Sequence, residues 1–280
     1  MRIGIVGLGL IGGSLAKAYK RAGAEVLGAD VDAVTSGFAK LSGACDGDLT
    51  EENLSTCDAL FLAVTTGKTI QWLQAHADKI GPDTLVIDCC GIKRQVCQVG
   101  FRLSAEQDLC FVGGHPMAGR QVGGFKNSHA DMFDGAVFVI VPPDRSDIRL
   151  LTRVKNILSL AGFSRFAVMT AEEHDRIVAF TSQMSHLISN AFVKSETAGA
   201  RGTQVVGGSF RDMTRVAYLD EEMWTELFME NRDHLLMELD AFLAELGRYR
   251  TVLAEEDRQG LTNLLAEGKK RKEEVEHGTQ

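Results

Sequence analysis

Residues 1–30 read MRIGIVGLGLIGGSLAKAYKRAGAEVLGAD, and the rest of the chain is organised around them. A short apolar run, Ile3 to Val6, is followed by Gly7, Gly9 and Gly12 at G-x-G-x-x-G spacing. A helical pattern runs from Leu15 to Arg21, and a second apolar run, Val26 to Ala29, ends at Asp30. Strand, glycine turn, helix, strand and acid, in that order, are what a bound dinucleotide requires. Gly7 permits the tight turn, Gly9 leaves room for a pyrophosphate, and Gly12 lets the helix pack close to the strand. The helix N-terminus offers backbone N–H groups and a partial positive charge to the phosphates. Asp30 is placed to accept hydrogen bonds from ribose hydroxyls. A carboxylate there repels a 2′-phosphate, so NAD is expected over NADP. Leu10 and Ile11 within the turn, and Val64 at the end of a later apolar run, complete the expected cofactor contacts. Asp32 reads as the N-cap of the next helix.

Working outward, 280 residues suffice for one large domain or two medium ones. An apolar fraction of 45% and a charged fraction of 24% are those of a soluble globular protein. A net charge of −8 argues against nonspecific binding to nucleic acid or an anionic membrane. No apolar run is long enough to span a bilayer, and no signal peptide is expected. The six cysteines show no zinc-ligand spacing, so no metal is expected, and they read as reduced thiols of a cytoplasmic protein.

The first half alternates strand and helix patterns. Apolar runs at Asp58–Val64, Thr84–Asp88, Leu109–Gly113, Ala136–Val141 and Arg165–Val168 read as strands, several buried on both faces. Helical patterns at Ala33–Leu41, Thr69–Ile80, Lys93–Arg102 and Arg149–Ala161 lie between them. This alternation predicts a doubly wound parallel sheet of Rossmann type over residues 1–169. From Thr170 the signal becomes helical: Glu172–Glu196, a break at Gly199–Gly208, then Glu221–Leu246 and Thr251–Glu276. These helices are apolar on several faces. Residues 170–280 are therefore expected to form an all-helical domain that binds substrate and buries itself in a homodimer.

Gly113-Gly-His-Pro-Met-Ala-Gly119 follows a strand, at the carboxyl edge of the sheet, where ligands bind. A histidine there takes a proton from a substrate hydroxyl while hydride leaves for the cofactor, or merely caps a loop. Gln183, His186, Asn190 and Lys194 recur at helical spacing as one polar stripe, either facing a cavity or paired internally. Arg211, Asp212 and Arg215 lie close together after the glycine break. An arginine suits a planar carboxylate, and one of the two also serves as a partner for Asp212.

Together GLGLIGGS, GGHPMAG at His115, SH on the long helix and GGSFRDMTRVA resemble the prephenate dehydrogenase family, which includes arogenate and cyclohexadienyl dehydrogenases of tyrosine biosynthesis. The resemblance runs from Arg2 to about Leu246. It implies that His115 is the catalytic histidine at the ring hydroxyl of prephenate, and that His186 lies beside the substrate. It also implies that Arg215 binds a substrate carboxylate, with Trp224 nearby. Gln183 and Arg211 complete the expected substrate contacts. The chain departs from the family pattern at Gln183, where many members have histidine. It departs again at Gly91, where many have a serine that contacts substrate or histidine, and at Gln121, where many have an acid. No C-terminal regulatory domain is expected. The competing enzymes are an arogenate dehydrogenase and a β-hydroxyacid dehydrogenase, whose lysine and asparagine run in the opposite order to Asn190 and Lys194. A non-catalytic NAD-sensing dimer is the competing class.

Overall fold

A computed structural model of the chain describes residues 1–120, 122–198 and 207–277. Gln121 and most of the Gly199–Gly208 break lie outside the described residues. Two compact units divide at Asn231, Met1–Asn231 and Arg232–Gln280.

The first unit is built on a sheet with strands β1 (Arg2–Val6), β2 (Glu25–Ala29), β3 (Gly47–Asp48), β4 (Ala59–Leu62), β5 (Leu85–Asp88), β6 (Cys110–Pro116), β7 (Val137–Val141) and β8 (Arg165–Val168). Their order is β3-β2-β1-β4-β5-β6-β7-β8. β1 pairs with β2 on one side and β4 on the other, so the winding reverses between β1 and β4. A reversal of that kind opens a crevice at the carboxyl ends of the strands. The central strands are mostly apolar because both faces are covered: β4 and β5 are buried at every residue. Ile3, Ile5 and Phe61 point into one core layer with Leu15 and Tyr19. Leu60, Leu62, Val86 and Phe111 point into the other with Leu73. Each large side chain fully removed from water contributes about 1.5–3 kcal/mol.

One pairing departs from the expected parallel sheet. β6 and β7 are antiparallel, with His115 opposite Val139. A parallel return requires a crossover, usually a helix. Among the described residues between Pro116 and Val137 the only helical element is the 3₁₀ turn Phe125–Asn127, so the chain folds straight back. The two-residue β3, also unexpected, is too short to carry a periodic signal.

Helices α1 (Leu10–Arg21), α2 (Ala33–Leu41), α3 (Thr66–His76), α4 (Arg94–Gln107) and α5 (Ile148–Leu160) flank the strands. Asp32 caps α2, accepting from the backbone of Val34 and Thr35. The long helix opens with a reciprocal capping box between Thr170 and Glu173. It runs as α6 (Ala171–Val178), a wide π-helical turn (Ala179–Met184) and α7 (Ser185–Phe192). Short α8 (Gly208–Thr214) and α9 (Glu221–Glu230) complete the unit. The expected division at residue 169 is not where the compact units part. Asp175 on α6 holds the backbone of Lys93 and Arg94, which ties the long helix into the first unit.

The second unit is a helical hairpin, α10 (Arg232–Ala254) and α11 (Arg258–His277). Glu256 turns the chain at φ 55°, and the Asp257 carboxylate accepts from the backbone of Gly260. Arg248 bridges Glu245 and Glu267 at 2.8 and 2.9 Å. The expected single helix over 221–246 is broken at Asn231, whose side chain turns inward to the network described below.

Candidate active site

The glycine turn sits at the crevice between β1 and β4. Gly7 has φ +86°, and a Cβ there would lie 2.5 Å from Val64 Cγ1. A side chain on Gly12 would lie 1.8 Å from the Gly7 carbonyl oxygen. Gly9 differs from both, because a Cβ there would meet nothing within 4 Å. Its surface is bare backbone at the start of α1, where the first N–H groups, those of Leu10 and Ile11 included, have no partner within the helix. Asp30 closes the turn from β2: one carboxylate oxygen accepts from Leu8 N at 2.7 Å and the other from Asp32 N at 2.9 Å. Each oxygen keeps a lone pair for a ribose hydroxyl. The cradle fits a dinucleotide, with its pyrophosphate over Gly9 and a sugar at Asp30.

His115 lies near the end of β6 at the same carboxyl edge. Its ring is partly buried, and Nδ1 lies 2.9 Å from Nε2 of His174. His174 Nδ1 lies 2.7 Å from Asp175 Oδ1. Burial, with His174 and Lys93 nearby, holds the His115 pKa well below its usual value. Burial also lowers that of His174, against the opposing pull of Asp175. Both rings are therefore neutral at neutral pH. Asp175 is fully buried and accepts from Lys93 N at 2.7 Å, Arg94 N at 2.9 Å and Arg94 Nε at 3.3 Å. Beneath it Lys93 Nζ pairs with Asp88, both fully buried. Asp88 also accepts from Gly114 N at 3.0 Å and Cys90 N at 2.9 Å.

His174 and Asp175 were not among the residues the sequence singled out. Their signal, a His-Asp pair one turn into a capped helix, gains meaning only once that helix is seen to bring His174 against His115 of β6. Cys90, beside this cluster, is an inert thiol: burial pushes its pKa up to about 12.

The expected polar stripe turns toward the 217–231 segment, and its amides are paired internally there. Gln183 is 1% exposed, donates to Leu227 O and accepts from Asn231 Nδ2, both at 2.9 Å. Its expected substrate contact is thus corrected to a buried internal pairing. Asn190 is also paired, donating to Ala217 O at 3.0 Å. His186 donates from Nδ1 to Ser182 O at 2.9 Å, which leaves Nε2 as an acceptor. Its ring lies against Trp224, with centroids 4.1 Å apart, so these two expected residues are brought together. Arg211 lies on α8 and Arg215 just past its end, both exposed. Phe210 on α8 packs against Phe192 of α7 at 5.8 Å. At Gly91 a Cβ would lie 3.0 Å from Leu227 Cδ2, so α9 covers the position.

A sequence model described as "Prephenate dehydrogenase, nucleotide-binding domain" matches residues 15–165, and one described as "Prephenate dehydrogenase, dimerization domain" matches residues 170–267. A prephenate dehydrogenase of Bacillus subtilis is 28% identical over 92% of this chain and 71% of its own. Among solved structures, arogenate dehydrogenase of Synechocystis is 25% identical with TM-score 0.83, covering 98% of this chain and 100% of that one. Prephenate dehydrogenase of A. aeolicus, solved with hydroxyphenyl propionate and NAD+, is 25% identical with TM-score 0.82 and covers 98% of both chains. Matched over both its nucleotide-binding and its dimerization region, the chain belongs to the prephenate dehydrogenase family.

Proposed function

We propose that this chain oxidises prephenate with NAD, with loss of the ring carboxylate as CO2, to give 4-hydroxyphenylpyruvate for tyrosine biosynthesis. The observation that carries the reading is the place of His115. It is a neutral imidazole at the carboxyl edge of a dinucleotide-binding sheet, on a strand two removed from the glycine-turn crevice. NAD bound in that crevice supplies the hydride acceptor. His115 takes the proton of the ring hydroxyl as the carbon beneath it is oxidised. Decarboxylation then sends an electron pair into the ring, and the same proton returns to the phenolic oxygen. Aromatisation drives this second step, so the residues need only orient the substrate and stabilise charge.

In this reading Arg215 binds a substrate carboxylate, with Arg211 its nearest substitute, and His186 and Trp224 form a wall of the substrate site. Residues 1–169 carry the cofactor, and 170–280 carry substrate contacts and a homodimer interface. Exposed Phe180, Phe192 and Tyr218, and in the second unit Leu236, Met237 and Leu253, support such an interface. Six free thiols fit a reducing, cytoplasmic setting. Likeness to an arogenate dehydrogenase keeps arogenate as the second reading. An ammonium would want a carboxylate beside it, and Gln121 stands where many relatives have an acid, which favours the ketoacid.

The test follows NADH absorbance with each substrate. Prephenate should turn over faster, and His115→Asn should lower kcat by about a hundredfold with little change in KM. A faster reaction with arogenate would reverse the substrate choice. A mutant with wild-type kcat would place the base elsewhere.

A further inference from the structure

The reaction above needs one base, yet His115 heads a chain of three ionisable groups. We propose that His174 and Asp175 are positioning residues that lock His115 in its Nδ1–H tautomer, so that Nε2 is the atom that accepts the substrate proton. This rests on His115 being the base.

The protons can be assigned in order from the buried end. Asp175 accepts three hydrogen bonds from Lys93 and Arg94 and is an acceptor at every contact. His174 Nδ1, at 2.7 Å, must therefore carry hydrogen and donate to it. His174 is 1% exposed, and a charged ring there would lie near the Lys93 ammonium, so the ring is neutral and its Nε2 is a bare acceptor. His115 Nδ1, 2.9 Å from that nitrogen, must then be the donor. Nε2 of His115 is left unprotonated. The opposite assignment needs a buried imidazolium at His174. The charged groups that face the pair are Asp175, Lys93, Asp88 and Arg94, with Glu230 further out. Asp175 favours an imidazolium, while Lys93 and burial oppose it.

The arrangement serves both halves of proton transfer. Before reaction it prevents Nε2–H, the tautomer solution imidazole prefers and one that cannot accept. When His115 gains the proton, its charge is shared along Nδ1–H to His174 and faces Asp175. The proton itself stays on Nε2 and returns to the phenolic oxygen.

The experiment combines 15N-histidine NMR of the full chain with NAD present and steady-state kinetics of His174→Gln, His174→Leu and His115→Asn/His174→Leu. Wild-type His115 should show a protonated Nδ1 and a bare Nε2. His174→Gln keeps an acceptor oxygen and should hold kcat within about tenfold. His174→Leu should lose about a hundredfold in kcat with KM changed less than about threefold, the signature of a misaligned base. The double variant should be no slower than His115→Asn alone. A wild-type His115 protonated on Nε2 overturns the inference even if no variant folds. So does His174→Leu with kcat near wild type, or a double variant with multiplied losses. His115→Asn separates the two readings: with His115→Asn slow and His174→Leu normal, only the positioning role fails. With His115→Asn at full kcat, the base assignment itself fails.

Discussion

Gly9→Ala should separate cofactor binding from folding, because the fold has room for the methyl group and a bound pyrophosphate does not. Gly9 caps α1 with φ −70° and ψ −150°, a backbone that alanine can adopt. The added Cβ would meet no heavy atom within 4 Å. Two small terms set the stability change. Replacing glycine by alanine at a compatible site gains about 0.4–1 kcal/mol by restricting the unfolded chain. Alanine at an N-cap loses about 0.5–1 kcal/mol relative to glycine. They nearly cancel, so Tm should move by less than about 2 °C. Binding has no such compensation. The methyl stands over the N–H groups that hold the phosphates, and the loss of one charge-assisted hydrogen bond costs about 1.5–3 kcal/mol. The dissociation constant for NADH should therefore rise by about ten- to a hundredfold.

Gly12→Ala is the contrasting substitution. Its Cβ would lie 1.8 Å from the Gly7 carbonyl oxygen, which is backbone and cannot rotate away. It should lower Tm by about 2–12 °C or more, through an overpacking cost of about 1–3 kcal/mol or more. Thermal melts and NADH fluorescence titrations on both variants give the result. Gly9→Ala binding NADH within twofold of wild type would show that no pyrophosphate lies over Gly9. A large fall in its Tm would refute the claim of open space.

Wild type should prefer NAD over NADP by at least about tenfold in kcat/KM, and Asp30→Ser should narrow that gap by weakening NAD use. Equal use of both cofactors by the wild type would remove Asp30 from the ribose. Arg215→Gln should raise KM for prephenate by about ten- to a hundredfold with kcat less affected. An unchanged KM moves the carboxylate to Arg211 or elsewhere. Stability should fall as pH drops below 6.5: His115 and His174 have folded pKa values below their unfolded ones, so the unfolded chain binds more protons there. The slope is at most about 2.7 kcal/mol per pH unit for two histidines. Glu230, whose carboxyl is raised by burial, opposes them. Denaturant midpoints that are flat from pH 6.5 to 5 would show that neither ring is held neutral.

The parts of this site that were legible in the sequence are those whose meaning is local. Gly7, Gly9, Gly12 and Asp30 act through backbone geometry within one strand-turn-helix-strand unit, and spacing alone defines that unit. Strands buried on both faces announce themselves as unbroken apolar runs. What escaped depends on partners distant in the chain. Asn231 breaks a helical pattern because its amide is drawn to Asp175 O and Gln183, far back along the sequence. Gln183 is buried because Leu227 and Asn231, far along the chain, pair with its amide, and nothing in the local residue pattern marks that. His174 looks like any histidine on the first turns of a helix until His115 is found 2.9 Å away.

The buried charges around His115 form a closed circuit, and closure accounts for their burial. Asp88 holds the backbone of Gly114, the residue next to His115. Lys93 joins Asp88 through its side chain and Asp175 through its backbone. Asp175 holds His174, and His174 holds His115. The ring of contacts thus fixes both the backbone that carries His115 and the Nδ1 atom of its imidazole. A buried ion pair is a poor stabiliser, since desolvation offsets most of its attraction, and an apolar pair of equal volume often does as well. An apolar pair at Asp88 and Lys93 would pack, but it would offer Gly114 N no acceptor and leave a buried donor unsatisfied, at about 1–3 kcal/mol. It would also free the end of β6 to move relative to α6. A general base must stay within hydrogen-bond reach of its proton, so displacements of an ångström matter more to the rate than to the fold. The Asp88–Lys93 pair is therefore best understood as the rigid footing of His115.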